Sequence, residues 1–324
     1  MQASASGLLS AGPNTGKDHS RMKRYTIAPI LSNAGLAELV EAGEKHFEEQ
    51  LGNLSAELAA LPELHLIGLT GPTCSGKTTA AEHLTRALAR HGKALHVISI
   101  DDFYFNKSYL REQAQESGRQ EPDFDSEETI DVDFLRECTE SLLAGKPTRM
   151  PHFNFHSGCR EEGELLCPRH NDLFLFEGIQ ILYPGVDAIL SQSAYRSVYI
   201  SPSSSIAAGG ELFLPNEIRL MRRLVRDYRY RNATPAFTFY LWQSVRENEE
   251  KNIFPYVHHC SSRIDSTMPY EIGVLKPYLE SILPQIPETD HFWGKGQSIL
   301  ARLDEVQAVP DSYIGPESLY REFI

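Results

Sequence analysis

No apolar run in this 324-residue chain approaches the ~20 residues that a membrane-spanning helix requires. Positive charge is short as well. Lys and Arg number 31 against 44 Asp and Glu, a formal charge of −13. That balance argues against a general nucleic-acid binder, which needs surplus cations to neutralise phosphates. The five cysteines (Cys74, Cys138, Cys159, Cys167 and Cys260) are scattered and lack a metal-ligand spacing. Reduced thiols in a cytoplasmic compartment are expected. Residues 1–24 carry Lys17, Arg21, Lys23 and Arg24 without a hydrophobic core, so they read as a disordered tail rather than a secretory signal. No internal repeat is present.

What is there begins with Gly71-Pro72-Thr73-Cys74-Ser75-Gly76-Lys77-Thr78, followed by Thr79. This is the phosphate-loop pattern, in which backbone N–H groups and a helix N-terminus cradle phosphate oxygens. Its context fits: the apolar run 64–70 predicts a strand, and Ala80, Leu84, Ala87 and Leu88 recur at helical spacing up to Gly92. Lys77 would reach the β- and γ-phosphates and the Thr78 hydroxyl would bind Mg²⁺, so a nucleoside triphosphate is the expected ligand.

Around this unit, residues 33–61 predict one amphipathic helix striped by Leu36, Val40, Phe47, Leu51, Leu54 and Leu58. Packing on the main domain is its expected role, with a contact in a homo-oligomer as the alternative. Further buried strands are expected at 94–100, 173–176, 197–201 and 262–267, and a polar loop at 105–128. A helix capped by Asp131, a hairpin over 147–170, a basic helix at 219–231 and a helix at 273–283 follow. Residues 284–324 are interrupted by Pro and receive no element. Strands alternating with helices imply a parallel sheet, with ligands at the carboxyl ends of its strands. The expected fold is therefore α/β, a parallel sheet of the P-loop NTP hydrolase type flanked by helices. The tail 1–24 and helical segment 25–62 precede a domain of 63–324.

Asp101 and Asp102 follow one predicted strand and Glu177 follows another. At such a sheet edge a carboxylate can take a substrate hydroxyl proton or face a metal, although capping and turn roles compete. Arg219, Arg222, Arg223 and Arg226 are spaced by three and four, so they share a helix face suited to phosphoryl charge.

Taken in order, Gly71–Thr78, Ser99–Tyr104, Phe124-Asp125, Pro151–Phe155, Phe176–Gly178 and Arg222–Asp227 resemble the phosphoribulokinase/uridine kinase family. Residues 242–246 and 250–255 resemble its bacterial uridine kinase-like branch. The resemblance implies an ATP- and Mg²⁺-dependent kinase acting on a small alcohol, with a nucleoside favoured. It implies Asp101 as base, Thr78, Asp101 and Glu177 on the metal side, and Arg222, Arg223 and Arg226 as a lid over the phosphates held by Lys77. It also implies Tyr104, Phe124, Asp125, Phe153, Phe155 and Arg160 on the acceptor side. The hairpin positions that hold a base-reading Tyr and His in uridine–cytidine kinases are Phe153 and Gly158 here. Another alcohol acceptor, or a regulatory nucleotide-binding module, stays open.

Overall fold

Alternate residues of a strand face opposite sides of a sheet. In the computed structural model, which describes residues 23–119, 121–124 and 126–324, both sides of the central strands are buried. Leu173 and Leu175 enter one core while Phe174 and Phe176 enter a second. A strand buried on both faces must be apolar throughout, which is why these runs were legible.

In chain order the elements are β1 (Arg24–Thr26), α1 (Asn33–Ala59), β2 (Leu66–Thr70), α2 (Lys77–Arg90), β3 (Leu95–Ser99), α3 (Lys107–Glu116) and α4 (Val132–Leu143). Then come β4 (Thr148–Asn154), β5 (Cys159–Leu166), β6 (Leu173–Glu177), α5 (Pro184–Leu190), β7 (Tyr195–Ser201), β8 (Ser205–Ala208) and β9 (Glu211–Phe213). The remainder is α6 (Pro215–Tyr230), α7 (Pro235–Asn252), β10 (Ser262–Asp265), α8 (Glu271–Ile282) and α9 (Trp293–Leu303). The central sheet has the order β10-β7-β2-β6-β3 with every pair parallel. The carboxyl ends of β2, β3 and β6 therefore lie side by side. Residues of α1, α2, α6 and α8 fill the core on one face, and those of α4 and α5 the other.

The Ser32 hydroxyl caps α1 by accepting from the Gly35 N–H at 3.2 Å. Its stripe from Leu36 to Leu58 is buried in the same core as α2. Arg24, expected in the tail, starts β1 and pairs in parallel with Ser205 of β8. The rest of that tail, residues 1–22, lies outside the described residues.

Several stretches, α5 and α7 among them, hold elements that the sequence reading did not assign. The polar loop at 105–128 contains α3, whose inner face is only Leu110 and Ala114, four residues apart. The segment after Ser201 forms β8 and β9, which close a small sheet with β1. Residues 284–324 hold α9 and a 3₁₀ turn at Leu319–Glu322, with Leu303, Leu319, Tyr320 and Phe323 fully buried. No helix among the described residues is long and apolar enough to cross a membrane. All five cysteines are free thiols.

Candidate active site

Between β2 and α2 the loop folds tightly against its neighbours. A side chain at Gly71 would meet the Ile200 carbonyl oxygen at 2.0 Å. Gly76, with φ of 89°, begins the turn into α2, and a Cβ there would strike Leu319. Both positions require glycine. The Lys77 ammonium donates to the loop's own carbonyls, Gly71 at 3.0 Å and Pro72 at 3.3 Å, which holds it over the cradle. Thr73, Cys74, Ser75, Gly76, Lys77 and Thr78 line a cavity of about 370 Å³.

Asp101, in a 3₁₀ turn after β3, and Glu177, ending β6, line the same cavity. Burial pushes the Asp101 carboxyl above its usual range; the Gln180 hydrogen bond and Lys77 oppose this, and the Asp102 charge adds to it. Burial likewise raises Glu177, opposed by Lys77 and reinforced by Asp101 and Glu322. The Gln180 amide donates to Asp101 Oδ1 at 2.7 Å and to the Tyr104 hydroxyl at 3.0 Å. Asp102 does something else. Its carboxylate accepts from the Phe153 N–H at 2.9 Å and faces His152 at 3.2 Å, pinning β4 to the turn rather than facing the cavity.

The α6 arginines divide into two groups. Arg219 donates to both Glu249 oxygens, at 2.6 and 2.7 Å, and to the Thr73 carbonyl at 3.2 Å. Arg222 is fully buried, paired with Glu271 at 2.7 Å, and donates to the carbonyls of Cys74 (3.2 Å) and Ser266 (2.7 Å). Burial works most strongly against its charge, but Glu271 and Tyr320 together outweigh burial and keep the guanidinium charged. Arg222 thus braces the loop from behind and does not face the cavity as a lid residue would. Arg223 and Arg226 do face it, together with Arg231. These three guanidiniums share one carboxylate, Asp227, at 3.0, 2.8 and 3.7 Å, which leaves the wall cationic.

On the acceptor side Tyr104 and Phe155 line the cavity. Phe153 is buried beneath them, its ring 5.0 Å from that of Phe155 and 5.5 Å from that of Tyr104. It supports Phe155 instead of presenting its own face. The Phe124 carbonyl accepts from the Tyr104 hydroxyl at 3.4 Å. Arg160 is drawn off to Asp131 (2.8 Å) and the Phe134 ring (4.7 Å), away from the cavity. Asp125 lies outside the described residues.

Among the cavity residues that escaped the sequence reading are Gln180 and Glu322. Gln180, three positions after Glu177, carried a usable signal, since it follows a strand end in a turn. Glu322 carried none. It lines the cavity and accepts from the Thr79 hydroxyl at 3.4 Å across a separation of 243 residues.

The donors suit a divalent cation bound with phosphate. Asp101 and Glu177 are disfavoured as lone buried anions and stand beside Thr78. Among the described residues no three His, Cys, Asp or Glu side chains form a metal cluster. Mg²⁺ suits this arrangement, because one or two carboxylates with phosphate oxygens and waters commonly hold it.

Sheet order, loop and carboxylate edge together define a phosphate-loop kinase fold. The model of the phosphoribulokinase / uridine kinase family matches residues 66–269, more than half of the chain. The protein belongs to that family. A uridine kinase of Schizosaccharomyces pombe is 31% identical over 174 residues, covering 52% of this chain and 33% of that protein. One from Yersinia enterocolitica is 29% identical over 171 residues, covering 52% of this chain and 71% of that protein. A solved D-glycerate 3-kinase from Cryptococcus neoformans shares 16% identity, covering 63% of this chain and 87% of its own, with a TM-score of 0.45.

Proposed function

We propose that this protein is a kinase that transfers the γ-phosphoryl group of ATP to a hydroxyl of a small molecule, with a nucleoside as the favoured acceptor. One observation carries the reading: Lys77 of the phosphate loop, the carboxylate of Asp101 and the arginine wall enclose one cavity, with Tyr104 and Phe155 at its other side. Phosphoryl transfer needs mainly positioning and charge neutralisation, and this arrangement offers both.

In this reading the loop and Lys77 hold the β- and γ-phosphates. Thr78 and Glu177, with Asp101, would hold Mg²⁺, which when bound neutralises phosphate charge. Gln180 leaves Asp101 Oδ2 to accept the acceptor's hydroxyl proton as the oxygen attacks phosphorus and ADP leaves. Arg223 and Arg226 meet the charge that builds on the transferring group. Tyr104 and Phe155 offer rings to a flat or apolar acceptor. A phosphorylated acceptor is less well served. Arg231 reaches the cavity, but Arg160 is held by Asp131 and Arg229 stacks on Tyr278 at 5.0 Å. The free thiols support a cytoplasmic location.

The test is ADP release from ATP and Mg²⁺ with uridine, cytidine, other nucleosides, ribulose 5-phosphate and pantothenate in turn. Acceleration by a nucleoside supports the full reading. Acceleration by another compound keeps the chemistry and replaces the acceptor. Bound ATP with no acceleration by any compound would contradict a nucleoside acceptor and move the reading to an alcohol outside the panel or to a regulatory nucleotide-binding module.

A further inference from the structure

Residues 319–324 lie outside the stretch matched by the family model, yet they are built into the back of the phosphate loop. Leu319 packs on Gly76. The Tyr320 hydroxyl donates to Glu271, the same carboxylate that holds Arg222 against the Cys74 carbonyl. The Phe323 ring lies 5.1 Å from the Arg222 guanidinium, and the Tyr230 hydroxyl donates to the Ile324 carbonyl at 2.7 Å. Glu322, between these anchors, is the residue of the segment that lines the cavity, bonded to Thr79.

We propose that Glu322 makes this cavity select nucleotide carrying a divalent cation over the free polyphosphate anion. The inference rests on the nucleotide-binding reading above. Lys77, Arg223, Arg226 and Arg231 attract any polyphosphate, whereas a fixed carboxylate repels it in proportion to the ligand's charge. Free ATP carries about four negative charges and its Mg²⁺ complex about two, so the carboxylate penalises the free form more. Glu322 is held there by the Thr79 hydroxyl, with Lys77, Arg226 and Arg222 attracting it and Glu177 repelling it. Burial raises its carboxyl above the ordinary range, while Lys77, Arg226, Arg222 and the Thr79 hydroxyl favour its charged form.

Isothermal titration of the full chain with ATP, in Mg²⁺ or in EDTA, tests this directly. The wild type is expected to favour Mg²⁺–ATP. Glu322→Gln should tighten binding in EDTA and shrink that preference by about tenfold, the scale of a screened charge–charge interaction. Glu322→Ala carries the same expectation should the amide variant not fold. A preference unchanged in a folded variant overturns the inference while leaving the nucleotide reading intact. So does weaker Mg²⁺–ATP binding with EDTA binding unaltered, since that marks Glu322 as a direct ligand. A wild type that binds ATP under neither condition removes the nucleotide reading itself.

Discussion

Arg222→Met should unfold the protein's phosphate loop from behind while leaving the cavity wall in place. Arg222 and Glu271 are both fully buried, and Glu271 also takes the Met268 N–H at 2.9 Å and the Tyr320 hydroxyl. Methionine fills much of the arginine's volume but leaves the carboxylate without its counter-ion and the carbonyls of Cys74 and Ser266 without a donor. Removing one partner of a buried pair costs about 3–5 kcal/mol. At about 2 °C per kcal/mol for a chain of this size, the melting temperature should fall by about 6–10 °C. Arg223→Met is the contrast, because Asp227 keeps Arg226 and Arg231. Its melting temperature should stay within about 2 °C of wild type, while turnover drops by about 10²-fold or more. Thermal melts followed by intrinsic fluorescence, with ADP release alongside, separate the two. An Arg222→Met protein that melts with wild type, or an Arg223→Met protein that melts below it, would refute this division of the arginines.

Other substitutions probe the reacting groups. Asp101→Asn should lower turnover by about 10²–10⁴-fold with ATP affinity nearly unchanged, and loss of ATP binding by titration calorimetry would remove its role as base. Because burial raises Asp101 and only its ionised form can take a proton, activity should fall as pH drops through a value above the ordinary aspartate pKa of about 3.9. Gln180→Leu removes a bond that favours the ionised form and should move that limb to higher pH; an unmoved limb in the pH–rate profile counts against the Gln180–Asp101 link. Phe155→Ala should raise the acceptor KM and spare the ATP KM, whereas Phe153→Ala should cost about 3–5 kcal/mol of stability, read by denaturant titration. The reverse pattern would reassign the two rings.

The sheet and loop were legible because their signals are local. Buried strands such as Leu173–Phe176 are apolar throughout, and Gly71 and Gly76 are demanded by backbone geometry at two fixed positions. Asp101 and Glu177 could be read as cavity residues because a parallel sheet gathers its strand ends at one edge. What escaped depends on contacts between distant residues. Spacing put Arg222 and Arg226 on one side of α6, yet a helix face curves, and Glu271 claims Arg222 from a separation of 49 residues. Arg160 was claimed in the same way by Asp131. The α3 helix carries too few apolar residues to declare a period, and Glu322 reaches the cavity only through the packing of Leu319, Tyr320 and Phe323.

The most direct test of the kinase reading is transfer of label from ATP carrying radioactive γ-phosphate, with Mg²⁺ and either uridine or cytidine, followed by separation and mass measurement of the product. The account predicts a labelled nucleoside monophosphate formed in step with ADP, and none from the Asp101→Asn protein. ATP bound but no label on either nucleoside would contradict the favoured acceptor. Label transfer undiminished in Asp101→Asn would contradict the mechanism.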